Sequence, residues 1–579
     1  MSRTRSTSLV CLLLPTVALA AAPAAAQELR VGPYVQDVRE TSAWILWETT
    51  EGDESVVEWG GSDAVGQSAT GSSLASEGTA RVHEVELTGL MPATRYHYRA
   101  RTGAASSEVF HFTTRPAAES EVSFRIVAVS DMQRDAAHPD VYRDVIHRGI
   151  LSVSTRDFAP LADDGIAFVL VPGVLVDDGR VYASWRDEFF DPAHDLMAYV
   201  PFYPVLGNHE RNSDHYYRYF HLPGEGGGAE RWWALDHGNV RVIGLDSNLL
   251  LLVGDQQRFL EDQLGSACTD DRIDFVIVQI HHAHVSELWP TGEEGFATLV
   301  VDRMNRFTEE CGRPSAQLYG HTHGYSRGAS RDHPHLWIDV ASAGGDLDHW
   351  GEYDDQYDSD DVSVSQDEYG FVVLEVEAGD APTLRVVRYG MGDEVTPREP
   401  EIRDAIEVRR WNESPATPLA RAPRGRVAPA CTSMLASDFA DPDGDLHGAT
   451  QWQVASSCDG FADPWTDRLR AHENWYAGED TQAGDDLRDE PLGELEPGAW
   501  HCWRAQYRDR ALAWSEWSEP VAFVIDEDGD PDCDDPSLPP VVPSEPAGCG
   551  CTHGARGAGT AGVIVLAVVT GWARRRRRR

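Results

Sequence analysis

The sequence predicts a multi-domain chain in which a central α/β unit lies between two β-sandwiches, followed by a membrane-type segment at the C-terminal end. Three observations predict it. Short runs with period-two alternation and Gly or Pro punctuation occupy residues 31–116 and again 428–525, the pattern of half-buried strands in sandwiches. Between them, residues 120–389 carry apolar strand-like runs separated by helical spacers, the pattern of an α/β domain. Chemically distinctive residues follow several of those runs directly, and α/β sheets gather their ligands at the carboxyl ends of strands. A length of 579 residues suits several domains of about 150 residues each.

Residues 1–26 carry Arg3 and Arg5, an apolar run over 9–22, and then Ala24-Ala25-Ala26. That is the order of a secretory signal, so cleavage is expected near Ala26 and the mature chain outside the cytoplasm. The first sandwich spans 28–116, with strands expected at 42–47, 55–59, 82–87 and 96–100. Its stretch Leu87-Thr88-Gly89-Leu90-Met91-Pro92-Ala93-Thr94-Arg95-Tyr96-His97-Tyr98 resembles the fibronectin type III signature, which implies a tyrosine at a strand corner. In this position it resembles the N-terminal domain of purple acid phosphatases.

The α/β unit is expected over 120–395, with strands at 124–129, 166–171, 202–206, 240–245, 275–280, 316–319, 336–340 and 371–376. Five motifs arrive in order: Ser130-Asp131-Met132-Gln133, Pro172-Gly173-Val174-Leu175-Val176-Asp177-Asp178-Gly179, Gly207-Asn208-His209-Glu210, His281-His282, and Gly320-His321-Thr322-His323. This order resembles the calcineurin-like metallophosphoesterases, in their purple acid phosphatase branch. The resemblance implies two cations that clamp a phosphate and acidify a water between them. Amide, carboxylate and imidazole donors suit iron, zinc or manganese. It assigns Asp131 and His323 to one metal, with Gln133 as a further amide donor, and Asn208, His281 and His321 to the other. His209 becomes the acid that protonates the leaving oxygen, and Glu210 is placed to orient its imidazole. His138, His147, His284 and His349 read as ordinary polar residues.

Two positions depart from the family pattern. Gln133 stands where many relatives have a further histidine, and an amide oxygen can still coordinate. Val174 stands where the family has the aspartate that bridges both metals, and a valine coordinates nothing. Asp131 then remains the one assigned carboxylate, so metal affinity should fall. Asp177 and Asp178 occupy positions that relatives fill in addition to the bridge. The acidic run 346–368 is expected to be a solvated loop near the site mouth, and with 223–231 to influence specificity.

The second sandwich, 428–525, includes Trp514-Ser515-Glu516-Trp517-Ser518, which resembles the tryptophan–arginine ladder of fibronectin-like domains. Residues 526–547 are expected to form an acidic and Pro-rich linker. The acidic run could hold calcium through oxygen ligands, but Ser537 stands where an EF-hand needs Glu. The tail 548–579 joins Gly548-Cys549-Gly550-Cys551 to an apolar stretch, 557–573, and six arginines. Seventeen residues are just enough to cross a bilayer core of about 30 Å, and the arginines would hold that end inside. The order resembles myxobacterial C-terminal sorting tags, which implies retention at the outer membrane or cell surface.

Charge narrows the partners. Lys and Arg total 49 against 95 Asp and Glu, a formal charge of −46, and the chain has no lysine. With Arg3, Arg5, Arg556 and the six terminal arginines set aside, the body is more acidic still. Such a field repels phosphate backbones, so nucleic acid binding is not expected. Eight cysteines follow the signal; some should pair in an oxidising compartment, with connectivity left open. The expected function is a secreted, surface-retained, metal-dependent phosphoric ester hydrolase of acid phosphatase or phosphodiesterase type, using metal-activated hydroxide on a phosphate ester and holding one or two metal ions. The alternative, motivated by Val174, is a catalytically impaired surface binding or adhesion protein on the same fold.

Overall fold

The computed structural model describes residues 27–158, 165–224, 230–248, 253–495 and 498–534. The signal-like 1–26, the stalk from 535 and the 548–579 tail lie outside the described residues, as does most of the 223–231 loop. Among the described residues no helix is long and apolar enough to cross a membrane.

The first domain is a sandwich of two antiparallel sheets. One runs Leu29–Gln36, Ser42–Thr49, Arg81–Thr88, Ser72–Ala75; the other is built on Gln67–Thr70, Val56–Gly60 and Arg95–Thr102. Alternation along Arg95–Thr102 turns Tyr96, Tyr98 and Ala100 inward onto Trp47, Ile45 and Leu87. Tyr96 Oη accepts the Met91 N–H at 3.0 Å, the corner contact that its sequence setting predicts. Tyr98 and Tyr34 donate to the carbonyls of Ala198 and Tyr219, so this sandwich is anchored on the central domain.

The central domain pairs two sheets around the largest apolar core. The first sheet runs Phe202–Pro204, Phe168–Val171, Phe124–Ala128, Tyr369–Glu377, Thr383–Gly392, Glu401–Arg409. The second contains a parallel run of Val240–Gly244, Phe275–Gln279, Ser315–Tyr319 and His335–Asp339. Two helices, Val253–Thr269 and Gly295–Cys311, cover its outer face and are joined by Cys268–Cys311. All eight expected strands form. The sheet also runs past residue 395, because Glu401–Arg409 pairs along Thr383–Gly392; being a largely solvent-facing edge strand, it carries no apolar signature. Tyr325–Ala329 and Val362–Gln366 are strands too, so the acidic run 346–368 is loop only in its first part.

The C-terminal domain sets a five-stranded sheet that includes His447–Ala455 and Trp500–Asp509 against three short strands. Trp452 and Trp503 fill its core, and Cys431–Cys533 and Cys458–Cys502 cross-link it. The Arg504 guanidinium lies over Trp517 at 4.1 Å and over Phe461 at 4.4 Å, a stacked ladder held by the cation–quadrupole attraction. Residues 526–534 differ from the expected solvated linker. They fold back along Gly425–Val427, with Asp526 N–H donating to the Val427 carbonyl and Arg424 pairing with Asp534 at 2.9 Å. The disulfide at Cys533 and the arginines at 424 and 426 draw these carboxylates in. A hairpin at Trp475–Tyr476 and Glu479–Asp480 extends the second central sheet, and buried Arg327 bridges Asp404 and Glu473.

Candidate metal centre

The site forms where the strands stop. Ser130-Asp131 follows Phe124–Ala128, Gly173-Val174 follows Phe168–Val171, Gly207-Asn208 follows Phe202–Pro204, His281 follows Phe275–Gln279, and Gly320-His321 follows Ser315–Tyr319. Turning the chain so tightly takes unusual backbone angles: φ is +58° at Asp131, +95° at Gly173, +47° at Val174 and +76° at His321. Gly320 has to be glycine, since a Cβ there would lie 2.3 Å from Asp131 Oδ2 and 2.4 Å from Ser130 Oγ.

Asp131, Asn208, His209, His321 and His323 together line one cavity of about 280 Å³. His281 sits buried beneath it, and Gln133 stands behind His323. Every residue assigned from the motifs is therefore brought to one place. Trp289, Asp346, Leu347, Asp348, Glu352 and Tyr353 also line the cavity, and among the described residues no arginine does.

The donor chemistry fits cations. His281 Nδ1 faces the Pro172 carbonyl at 3.0 Å; a carbonyl only accepts, so the ring proton is there and Nε2 is a lone pair. That lone pair faces Asn208 Oδ1 at 2.9 Å, two acceptors at the spacing of neighbouring ligands on one ion. In the other half, Asp131 Oδ1 and Gln133 Oε1 are buried without a hydrogen-bond partner. His323 Nε2 stands 3.6 Å from Asp131 Oδ1, while its Nδ1 donates to the Asp346 carbonyl at 2.6 Å. Burial opposes charge on both groups, yet each holds the other ionised: Asp131 lies well below the usual carboxylate range, and His323 is pulled up to about 9. A cation there would take the place of that proton. By contrast, burial holds His281 well below the ordinary imidazole range and brings His282 and His321 down to about 4, so these rings are neutral donors.

Val174 is the misfit. It is 1% exposed and lies between the two halves, its carbonyl accepting Met132 N–H at 2.9 Å and its Cγ2 against Gly207. Asp177 and Asp178 do not replace it: Asp177 faces His209, and Asp178 is paired with Arg180.

Glu210 does not orient the His209 imidazole. Its carboxylate turns inward and accepts the N–H groups of Gly207 at 2.6 Å, Leu175 at 2.7 Å and Val174 at 3.1 Å, clamping two ligand turns together, while burial pushes it up to about 7. The orienting contact comes instead from the Asp177 carbonyl, which accepts from His209 Nδ1 at 2.6 Å. This leaves His209 Nε2 available to the cavity. Asp348 was not singled out by its sequence setting, yet it accepts the His323 N–H at 2.6 Å and the Tyr353 hydroxyl at 2.8 Å. Asp339 supports the last motif by accepting the Thr322 hydroxyl.

Residues 30–114 match the purple acid phosphatase N-terminal domain, and residues 124–325 match the calcineurin-like phosphoesterase domain. Acid phosphatase type 7 of Danio rerio is 28% identical over 233 residues, covering 36% of this chain and 46% of that protein. An uncharacterised protein of Mycobacterium tuberculosis is 26% identical over 235 residues, covering 36% of this chain and 43% of its own length. The chain thus spans less than half the length of these curated relatives. Among solved structures, a purple acid phosphatase from yellow lupin seeds aligns with a TM-score of 0.51 at 17% identity, over 65% of this chain and 73% of that one. PhoD aligns with a TM-score of 0.50 at 13% identity, over 66% and 90%. At such identities the likeness is one of fold. In chain order, then, residues 30–114 are similar to the purple acid phosphatase N-terminal domain and residues 124–325 to the calcineurin-like phosphoesterase domain.

Proposed function

We propose that this protein is a metal-dependent phosphoric ester hydrolase, exported and retained at the cell surface. One observation carries the catalytic part: donors from four motifs scattered over almost two hundred residues come together, with Asp131, Asn208, His321 and His323 lining one cavity and His281 against Asn208. Iron, zinc or manganese would be held by Asp131, Gln133 and His323 on one side and by Asn208, His281 and His321 on the other. When bound, the metal supplies positive charge for the phosphoryl oxygens and makes water a nucleophile near neutral pH.

The chain's own residues do the rest. The fixed Nδ1–H of His209 leaves Nε2 to carry the proton given to the departing oxygen, the general-acid role. Trp289 and Tyr353 supply aromatic wall to the cavity. Among the described residues no arginine lines the wall, while Asp346, Asp348 and Glu352 do, so the protein's own cationic charge toward the substrate phosphate is limited to imidazoles. A diester with one negative charge is then repelled less than a monoester with two, which favours phosphodiesterase over acid phosphatase chemistry. Export and surface retention are supported by the signal-like start, the Cys-Gly-Cys tail and three cystine pairs in the body; disulfides persist in oxidising compartments.

The test is hydrolysis of bis(p-nitrophenyl) phosphate and p-nitrophenyl phosphate by the purified protein before and after chelation, with metal content measured alongside. Chelator-sensitive turnover with a preference for the diester is expected. Buried Val174 favours the second reading, a surface binding protein on a phosphatase scaffold; absence of both turnover and bound metal would establish that reading instead.

A further inference from the structure

The half-site without a carboxylate has one more donor than the family pattern assigns. His282 follows His281 at the same strand end, and its ring packs against both neighbours: centroids are 4.9 Å apart for His281 and His282, 4.5 Å for His282 and His321, and 4.9 Å for His281 and His321. One nitrogen from each of the three rings lies within 4.8 Å of the others. Tetrahedral zinc with Zn–N bonds of about 2.0–2.1 Å needs nitrogens about 3.4 Å apart, so a movement of less than about 1 Å per ring closes the triangle.

The supporting contacts favour that closure. Histidine ligands are characteristically held through their second nitrogen by a hydrogen bond that fixes the ring. His281 has the Pro172 carbonyl on Nδ1. His282 has Ser247 Oγ on Nδ1 at 2.7 Å, and that hydroxyl oxygen also accepts the His282 backbone N–H at 3.1 Å. The serine ties the ring to its own main chain, and in the tautomer that donates Nδ1–H to that oxygen Nε2 is the ligand atom.

We propose that His281, His282 and His321 form a three-imidazole site for one zinc-class ion, with Asn208 as a weaker fourth donor, so that His282 takes over part of the ligation lost at Val174. This rests on the phosphoesterase reading only for where the metal sits. Three neutral imidazoles suit a borderline ion such as zinc and need no anionic partner. Loss of the bridge then uncouples the two halves: this one keeps an ion on nitrogen donors, while Asp131, Gln133 and His323 form a separate and more oxygen-rich site.

The test begins with the purified protein stripped by chelation and reloaded with one equivalent of Zn2+, and the imidazoles on zinc are counted by X-ray absorption. Three are expected; one or two overturn the proposal. In parallel, Co2+ is titrated into wild type, His282→Gln and Ser247→Ala. Wild type should develop the intense visible absorption of tetrahedral cobalt. His282→Gln should weaken that band and lower affinity at least about tenfold, and Ser247→Ala should lower affinity less. Unchanged affinity and spectrum in His282→Gln overturn the proposal, and if that variant fails to fold by circular dichroism, the wild-type imidazole count decides. Metal held by two imidazoles with hydrolysis intact sinks this inference alone, whereas failure of wild type to bind either ion overturns it together with the phosphoesterase reading.

Discussion

Replacing Val174 by aspartate restores a carboxylate between the two halves of the site and separates the enzyme from the scaffold reading. Two opposing effects act in the metal-free protein. Val174 is β-branched with φ of +47°, a conformation that costs about 1–3 kcal/mol and that aspartate adopts more readily. The same position is 1% exposed, and burying an uncompensated carboxylate costs several kcal/mol. The second effect is larger, so chelated Val174→Asp should melt below chelated wild type. Metal reverses the order. At an effective dielectric constant near 20, unit charges about 4 Å apart attract by about 4 kcal/mol, hence a carboxylate beside a dication gains about 8 kcal/mol. After the desolvation penalty, about 3 kcal/mol remains as net stabilisation of the metal-loaded variant, which should melt above metal-loaded wild type and bind metal more tightly. Differential scanning calorimetry with and without Zn2+ or Mn2+, together with metal analysis and diester hydrolysis, reads all three effects. A variant matching wild type in metal stoichiometry, affinity and turnover would refute the assignment of residue 174 to the shared ligand position.

His209→Ala should lower kcat by about 10²–10⁴ while leaving metal content unchanged, since His209 reaches the cavity but is no assigned ligand; turnover within threefold of wild type would remove it as the acid. Burial pushes Asp509 up to about 6 from an ordinary 3.8, so the folded state holds its proton more tightly than the unfolded one. Its contribution is therefore complete below about pH 4 and lost as pH rises through about 6, at most about 3 kcal/mol. Denaturant unfolding of the wild type should show this decline, and Asp509→Asn should flatten it. Replacing Cys268 and Cys311 together by serine should cost up to about 4 kcal/mol, the chain-entropy value for a loop of this length; a loss below about 1 kcal/mol would mean the two helices are held together without the bond.

The architecture was legible because its strands are apolar and short and are followed at once by the motifs. The segments that escaped are those whose burial is not written in hydrophobicity. Tyr325–Ala329 buries Arg327, which is tolerable only because Asp404 and Glu473 neutralise it, partners 77 and 146 residues away. Glu401–Arg409 looks like a charged linker because its faces are largely wet. In the site, all seven assigned residues come together, because each motif follows directly on a strand end. The supporting partners did not show. Glu210 is adjacent to His209 in sequence, but neighbouring side chains leave a turn in different directions, and two of its three N–H partners, Val174 and Leu175, belong to another turn. Trp289 and Asp348 reach the wall from loops whose course no periodicity encodes.

Glu210 also bears on whether the centre is a relic. Its buried carboxyl holds the N–H groups of Val174 and Leu175 on one turn and of Gly207 on the next, which keeps residue 174 at a positive φ that valine disfavours. A turn without a task would be free to relax into an ordinary extended conformation, and nothing about valine resists that. Instead the strained turn is held, His281 and Asn208 still aim two lone pairs at one point, and Asp131 still leaves an oxygen unpaired beside His323. The facing lone pairs and the unpartnered carboxylate oxygen are unfavourable by themselves and become favourable once a cation is present. Their persistence together, with only the bridge and the Gln133 position departing from the family pattern, fits a centre whose ligation has been redistributed better than one that has decayed, because decay has no reason to preserve several separate arrangements of this kind.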